Sequence, residues 1–317
     1  MHLLTRRTML LAGAALFACS LRAPGAAQTT GVIRVAMIPN EPATEVYFAK
    51  DMGFFQKAGL DVDIAQNPST PAIASAVAQG TYDIAYATIS TLAVAHVKGL
   101  PFVIIAPGVG NLPGKAAGAI MIPVNSTVKS GKDFNGKTFG TAGLNTLAEY
   151  LPRAWIDKHG GDSTTVHFIE IPFPETPDAL ASGRIDAAYL TEPFITIAEE
   201  KHAAKVLTTG DDAIAPRYTS TAWYTTRAWA RAHPDLVARF AGAIHEAAVW
   251  ANKNPDKVVP IVAKYLKADP ALTAKASRPY WVEQLSAAQI QPWIDVTARY
   301  AKFAPFPAAD MIYAPSR

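Results

Sequence analysis

Cysteine is almost absent from this chain of 317 residues. The one there is, Cys19, sits in an apolar run near the N-terminus, so no internal disulfide can form. Charge is also scarce: 17% of residues are charged, against about 25% in an average globular protein. The formal net charge is +3, and no run of Lys and Arg interleaved with aromatics marks a nucleic-acid surface. Past the first thirty residues no apolar run is long enough for a transmembrane helix. Catalytic signatures are missing as well. His96, His159, His167, His202, His233 and His245 show no HExxH or paired metal spacing, and neither a Gly-x-Ser-x-Gly elbow nor a Gly-Lys-Ser phosphate loop occurs. Gly108, Gly110 and Gly114 follow a strand, but Pro113 breaks the helix a dinucleotide loop needs and the third glycine is one place late, so this stretch reads as a connector. No metal or cofactor is expected.

At the N-terminus, Thr5-Arg6-Arg7-Thr8 precedes an apolar run to Cys19, and Gly25-Ala26-Ala27 supplies small residues before Gln28. Residues 1–27 therefore read as a secretory signal of twin-arginine type, and the protein is expected in the periplasm. Lipid anchoring through Cys19 is the alternative, with the bulky Phe17 against it. The 290 residues after position 27, half of them apolar across the chain, suffice for two domains without disulfides.

A repeat organises those residues. Ala78-Gln-Gly-Thr-Tyr-Asp-Ile-Ala-Tyr-Ala-Thr88 and Ala181-Ser-Gly-Arg-Ile-Asp-Ala-Ala-Tyr-Leu-Thr191 agree at six of eleven positions. Each copy reads as a helix end, a left-handed Gly, a short strand and a Thr beside a new helix. Thr88 lies 49 residues after Pro39, and Thr191 lies 50 after Thr141, both at ends of earlier strands. Two lobes of similar plan account for both spacings, and ligands of open α/β sheets sit outside the carboxyl ends of strands.

Strands and helices alternate from Ile33 to the return strand Thr221–Thr225; beyond it the pattern is helical at Pro234–Asn252, Asp256–Leu266 and Ser286–Phe303, with no convincing strand. The expectation is an α/β fold with a ligand cleft between two lobes and a helical C-terminal part on the first. Lobe 1 comprises residues 31–121 and 220–317, and lobe 2 residues 122–219, with hinges near Pro107–Gly118 and Ala215–Ser220.

Val46-Tyr-Phe-Ala-Lys-Asp-Met-Gly-Phe-Phe-Gln-Lys-Ala-Gly-Leu-Asp-Val-Asp-Ile64, Gly80-Thr-Tyr-Asp-Ile-Ala85, Lys98-Gly-Leu-Pro101, Asp186-Ala-Ala-Tyr-Leu-Thr-Glu-Pro193 and Pro234 through Pro255 together resemble periplasmic solute-binding proteins of the nitrate, sulfonate and taurine type, related to thiamine-pyrimidine binders. The resemblance spans nearly the whole chain after the signal. It implies the two-lobe periplasmic-binding-protein fold and a monomeric receptor that closes on a small solute. The partner it implies is an ABC transporter permease in the inner membrane. A sulfonate is the expected solute, a pyrimidine precursor the alternative. The pyrimidine-synthesising enzymes that share the fold use a cysteine-rich iron motif that this chain lacks. A transcriptional effector domain needs a helix-turn-helix where the signal stands.

The candidate ligand groups are those at strand ends: Asn40, Thr88, Ser90, Thr141, Ala142, Gly143, Asn145 and Glu192, with Trp223 as an apolar wall. Asn40 reads equally as an Asx turn, Ser90 and Glu192 equally as helix caps. Tyr47, Tyr86, Phe102 and Tyr224 are either cleft wall or core. Gly140-Thr-Ala-Gly-Leu-Asn-Thr146 follows a strand and opens a helix, which makes it the expected anion-binding loop.

Overall fold

A computed structural model describes residues 31–314; the expected export signal, residues 1–27 with Cys19, lies outside them. In chain order the strands are β1 (Ile33–Met37), β2 (Val62–Gln66), β3 (Ile84–Thr88), β4 (Phe102–Pro107), β5 (Val109–Asn111), β6 (Gly118–Pro123) and β7 (Thr138–Thr141). They continue as β8 (His167–Glu170), β9 (Ala187–Thr191), β10 (Ala204–Thr208), β11 (Tyr218–Thr219), β12 (Thr221–Thr226) and β13 (Tyr280–Trp281).

Two five-stranded sheets share one wiring. The first runs β2-β1-β3-β12-β4 and the second β8-β7-β9-β6-β10. In each, the first three strands are parallel and the fourth is antiparallel to the third, through Thr221↔Thr88 in one sheet and Gly118↔Thr191 in the other. The acidic residue of the repeat explains part of this likeness. Asp83 accepts from the Arg34 backbone N–H at 2.8 Å and pairs with its guanidinium at 2.7 Å. Asp186 accepts from the Thr138 N–H at 2.9 Å and pairs with Lys137 at 3.1 Å. Each aspartate thus staples its own strand to the start of the strand beside it. Gly80 and Gly183, three residues earlier, both hold the left-handed conformation that the helix ends require.

The division expected between Met121 and Ile122 falls inside β6, all of which belongs to the second sheet. Three short strands were not foreseen. β5 lies in the first connector and β11 in the second, and they pair with each other while β13 pairs with the far edge of β5. Strands of two or three residues carry no alternation to read. What permits them is Gly110, flanked by Thr219 and Tyr280, where a side chain would collide with Val282 and the Tyr218 carbonyl.

The C-terminal helices bury regular stripes. Helix Pro234–Lys253 turns Val237, Phe240, Ile244, Ala247 and Ala251 inward against helix Glu45–Asp51. Helix Ala287–Ala301 packs on Ile89–Val97 and also on Leu147–Lys158, so the helical C-terminal part touches elements of both sheets rather than the first alone. No helix of the described residues is long and apolar enough to cross a membrane.

Candidate functional site

The carboxyl ends of β1, β3, β7 and β9 converge on a cavity of about 240 Å³. The repeat supplies its symmetric walls, with Tyr86 and Thr88 from one copy and Tyr189 and Thr191 from the other. Ile38, Asn40 and Pro42 enter after β1, and Ala142, Gly143, Thr146 and Leu147 after β7. Phe173 and Phe194 form one apolar wall, their rings stacked 5.4 Å apart and 16° from parallel. No Asp, Glu, His, Lys, Arg or Cys lines it among the described residues. Burial raises the pKa of both tyrosines, which therefore remain neutral phenols.

Two glycines make room for those rings. A side chain at Gly108 would strike Tyr86 and Thr221, and one at Gly118 would strike Tyr189. The tyrosine environments differ otherwise. The Tyr86 hydroxyl is hydrogen-bonded to that of Thr221 at 2.6 Å and donates to the Pro42 carbonyl at 3.2 Å. The Tyr189 hydroxyl has no hydrogen-bond partner among the described residues.

The two loops at the mouth are also unlike. After β1, Asn40 is 5% exposed and its Oδ1 accepts from the Ala43 N–H at 3.2 Å, so the Asx-type cap and a place in the cavity wall coexist. After β7, Thr146 caps Ala148 at 3.2 Å, while the N–H groups of Ala142, Thr146 and Leu147 meet no acceptor among the described residues. These three residues all line the cavity, at the positive end of a twelve-residue helix.

Of the expected ligand residues, Asn40, Thr88, Ala142 and Gly143 line the cavity. The other five do not. Ser90 is fully buried with its hydroxyl unpaired. The Thr141 hydroxyl turns into its own loop and donates to the Gly143 carbonyl at 3.2 Å. Asn145, in the left-handed region at φ 60°, is exposed; its N–H goes to Glu149 at 2.7 Å, and Glu149 is itself paired with Arg153. Glu192 accepts from the Thr196 N–H and hydroxyl, both at 3.1 Å, and from the Ser277 N–H at 3.2 Å, so the capping role holds its carboxylate. Pro193 stands immediately before the helix, which begins at Phe194. Trp223 is fully buried and donates to Glu45 at 2.8 Å on the core side of the sheet. Among the aromatic candidates only Tyr86 reaches the cavity; Tyr47, for example, stacks on Tyr265 at 3.7 Å. Tyr189 and the Phe173–Phe194 pair were missed. The repeat itself carries the signal for Tyr189, which aligns with Tyr86, whereas nothing local marks the phenylalanines.

A cavity at the strand ends of two like-wired sheets defines the periplasmic-binding-protein fold, that of solute-binding proteins of the ABC-importer type. The chain belongs to the NMT1/THI5-like family, whose model matches residues 40–258. It is 26% identical to the formylaminopyrimidine-binding protein of Halalkalibacterium halodurans over 71% of this chain and 67% of that one. It is 27% identical to the taurine-binding periplasmic protein of Escherichia coli over 65% and 62%. The crystal structure of the aliphatic sulphonate binding protein SsuA from E. coli superposes with a TM-score of 0.73 at 16% identity, covering 91% of this chain and 94% of that one. The fold is shared by a desulfurization enzyme, DszB, with a TM-score of 0.68, 16% identity and coverage of 90% and 96%.

Proposed function

We propose that the protein is an extracytoplasmic receptor that takes a small sulfonate with an apolar body into the cavity between its two sheets and delivers it to an ABC importer. The observation that carries this reading is the open amide end of helix Leu147–Lys158 facing a cavity with no charged side chain. A sulfonate spreads one charge over three weakly basic oxygens. Several fixed N–H donors at a helix N-terminus suit it without a counter-cation. Phe173, Phe194, Ile38 and Leu147 would cover the hydrocarbon part. No carboxylate lines the cavity, so a simple alkanesulfonate is favoured over a zwitterion such as taurine. The only ionisable groups of the lining are the two neutral tyrosines, which supports binding rather than acid–base catalysis.

The second reading is a pyrimidine, favoured by the stacked phenylalanines and the hydroxyls around the cavity. In either case the paired connectors carrying β5 and β11 are the proposed hinge, and the receptor works as a periplasmic monomer with a permease partner. A thermal-shift screen of the purified protein against ethanesulfonate, hexanesulfonate, taurine, nitrate and an aminopyrimidine tests the choice. A ligand at 100 times its Kd stabilises the fold by about 2.7 kcal/mol. Stabilisation by the pyrimidine alone would overturn the sulfonate reading. An unchanged radius of gyration at saturation with the bound solute would overturn closure about the connectors.

A further inference from the structure

Beside the main cavity, and sharing Pro42 and Ala117 with it, lies a second one of about 690 Å³ lined by Glu192, Ser277 and Arg278 among others. Against it sits an unusual charge cluster. Glu41 lies between the cavity-lining Asn40 and Pro42 and is fully buried. Its Oε1 accepts from Arg278 at 2.5 Å and its Oε2 has no partner. Its backbone N–H donates to the Glu192 carbonyl at 3.3 Å. The Arg278 side chain, 11% exposed, is held to the carbonyls of Thr273 and Ala276, and the neighbouring Ser277 N–H holds the Glu192 carboxylate. Lys275 of the same segment pairs with Glu200 at 2.7 Å.

We propose that Arg278 is a positioning residue for the solute cavity: it fixes Glu41, and with it the 40–42 wall, against the 273–278 segment and Glu192. The inference rests on the cavity being the solute site only for what the wall is for.

The surroundings explain why Glu41 keeps its proton. Burial raises the pKa of both acids, but Glu192 accepts three donors that favour its charged form, whereas Glu41 is fully buried with one oxygen that has no partner among the described residues. Burial lifts the Glu41 pKa to about 8, with Arg278 opposing and Glu192 adding to the rise. Below that pH one cation faces one anion. The opened segment, with Glu41 in water, gives up its proton in the ordinary carboxylate range, so the clasp weakens as pH rises from there to about 8 and no further above it. Other charges near this wall are engaged or turned outward. Glu45 on the next helix accepts from Trp223 with one oxygen and is held toward its neutral form by burial, Asp211 across the second cavity accepts from Tyr218, Asp51 pairs with Lys264, and Lys50, Lys115, Asp256 and Lys257 are exposed.

Hydrogen exchange on the ligand-free full chain tests this, read as protection factors at Glu41, Ala43 and Ser277 between about pH 6 and about pH 9. In the wild type, protection is expected to fall about tenfold per pH unit between about pH 6 and about pH 8 and to level off above that, where the closed form ionises too. Glu41→Gln, which keeps an acceptor for Arg278 but cannot ionise, should abolish the fall. Arg278→Met should lower protection at every pH. A purely structural contact would show no step in the wild type. A step that persists in Glu41→Gln, or wild-type protection in Arg278→Met, would overturn the proposal. Should Arg278→Met not fold, the wild type and Glu41→Gln still decide it. A parallel titration with hexanesulfonate should lose affinity over the same range in the wild type and not in Glu41→Gln. Hexanesulfonate failing to bind the wild type at all would sink the sulfonate reading, and exchange would decide the clasp by itself.

Discussion

The two sheets are wired alike and finished differently. Where β1 ends, the chain closes on itself with Asn40, two prolines and a buried acid; where β7 ends, it leaves amides open at the start of a helix. Thr88 caps the helix that follows it, accepting from Thr91 at 3.1 Å, while Thr191 leaves that task to Glu192 and its own hydroxyl is unpaired. Tyr86 is tied to Thr221 and Pro42, and Tyr189 is untied. Around the cavity, the first half has spent its hydrogen-bonding groups on structure, while the second keeps three loop amides and the hydroxyls of Tyr189 and Thr191 without partners among the described residues.

The contrast is sharpest for binding. Gly143→Asp puts a carboxylate among the open amides and should weaken hexanesulfonate at least about a hundredfold, since like charges so placed cost several kcal/mol. Asn40→Asp, on the opposite wall, keeps the cap on Ala43 and should cost less than about tenfold. Calorimetric titration of both variants separates the loops, and equal losses would mean that the amide end is not the anion site. Next in size is the strand staple. Asp83, with 11% of its side chain exposed, should cost about 2–3 kcal/mol as Asp83→Ala, and Asp186, at 39%, about 1 kcal/mol as Asp186→Ala. Urea unfolding measures both, and a reversed order would break the argument from burial.

Smaller differences are expected at the cavity wall in the ligand-free protein. Tyr86→Phe should cost about 1.5 kcal/mol by stranding Pro42 and Thr221, and Tyr189→Phe less than about 0.5 kcal/mol. Smallest is the threonine pair. Thr88→Val loses a cap worth about 1 kcal/mol, whereas Thr191→Val removes a buried unpaired hydroxyl and should be neutral or slightly stabilising. A Thr191→Val variant as unstable as Thr88→Val would show that the unpaired hydroxyl has a structural partner after all.

The repeat was legible because it is local. Gly80, Asp83, Tyr86 and Thr88 lie on one strand and its approach, and their twins stand at the same spacing in the second copy. The direction of a side chain at a strand end was not. Asn145 and Gly143 are two residues apart, and only Gly143 meets the cavity, because Glu149 holds the Asn145 backbone N–H and the Asn145 side-chain carbonyl accepts from Tyr150. Trp223 read as a wall because it shares a face of β12 with the cavity-lining Thr221, yet it stands two residues further from the strand end, where that face is filled by Tyr86, Phe240 and Glu45. Phe173, Phe194 and the 273–278 clasp come from parts of the chain far apart in sequence and meet only in the folded molecule.

The crossing of the chain between sheets has a consequence for assembly in time. β3 lies between β1 and β12, and β12 comes from residues 221–226, more than a hundred positions later. During synthesis from the N-terminus the first sheet therefore waits with β3 and β4 unjoined, while every strand of the second sheet has already appeared. The half that begins first is completed last.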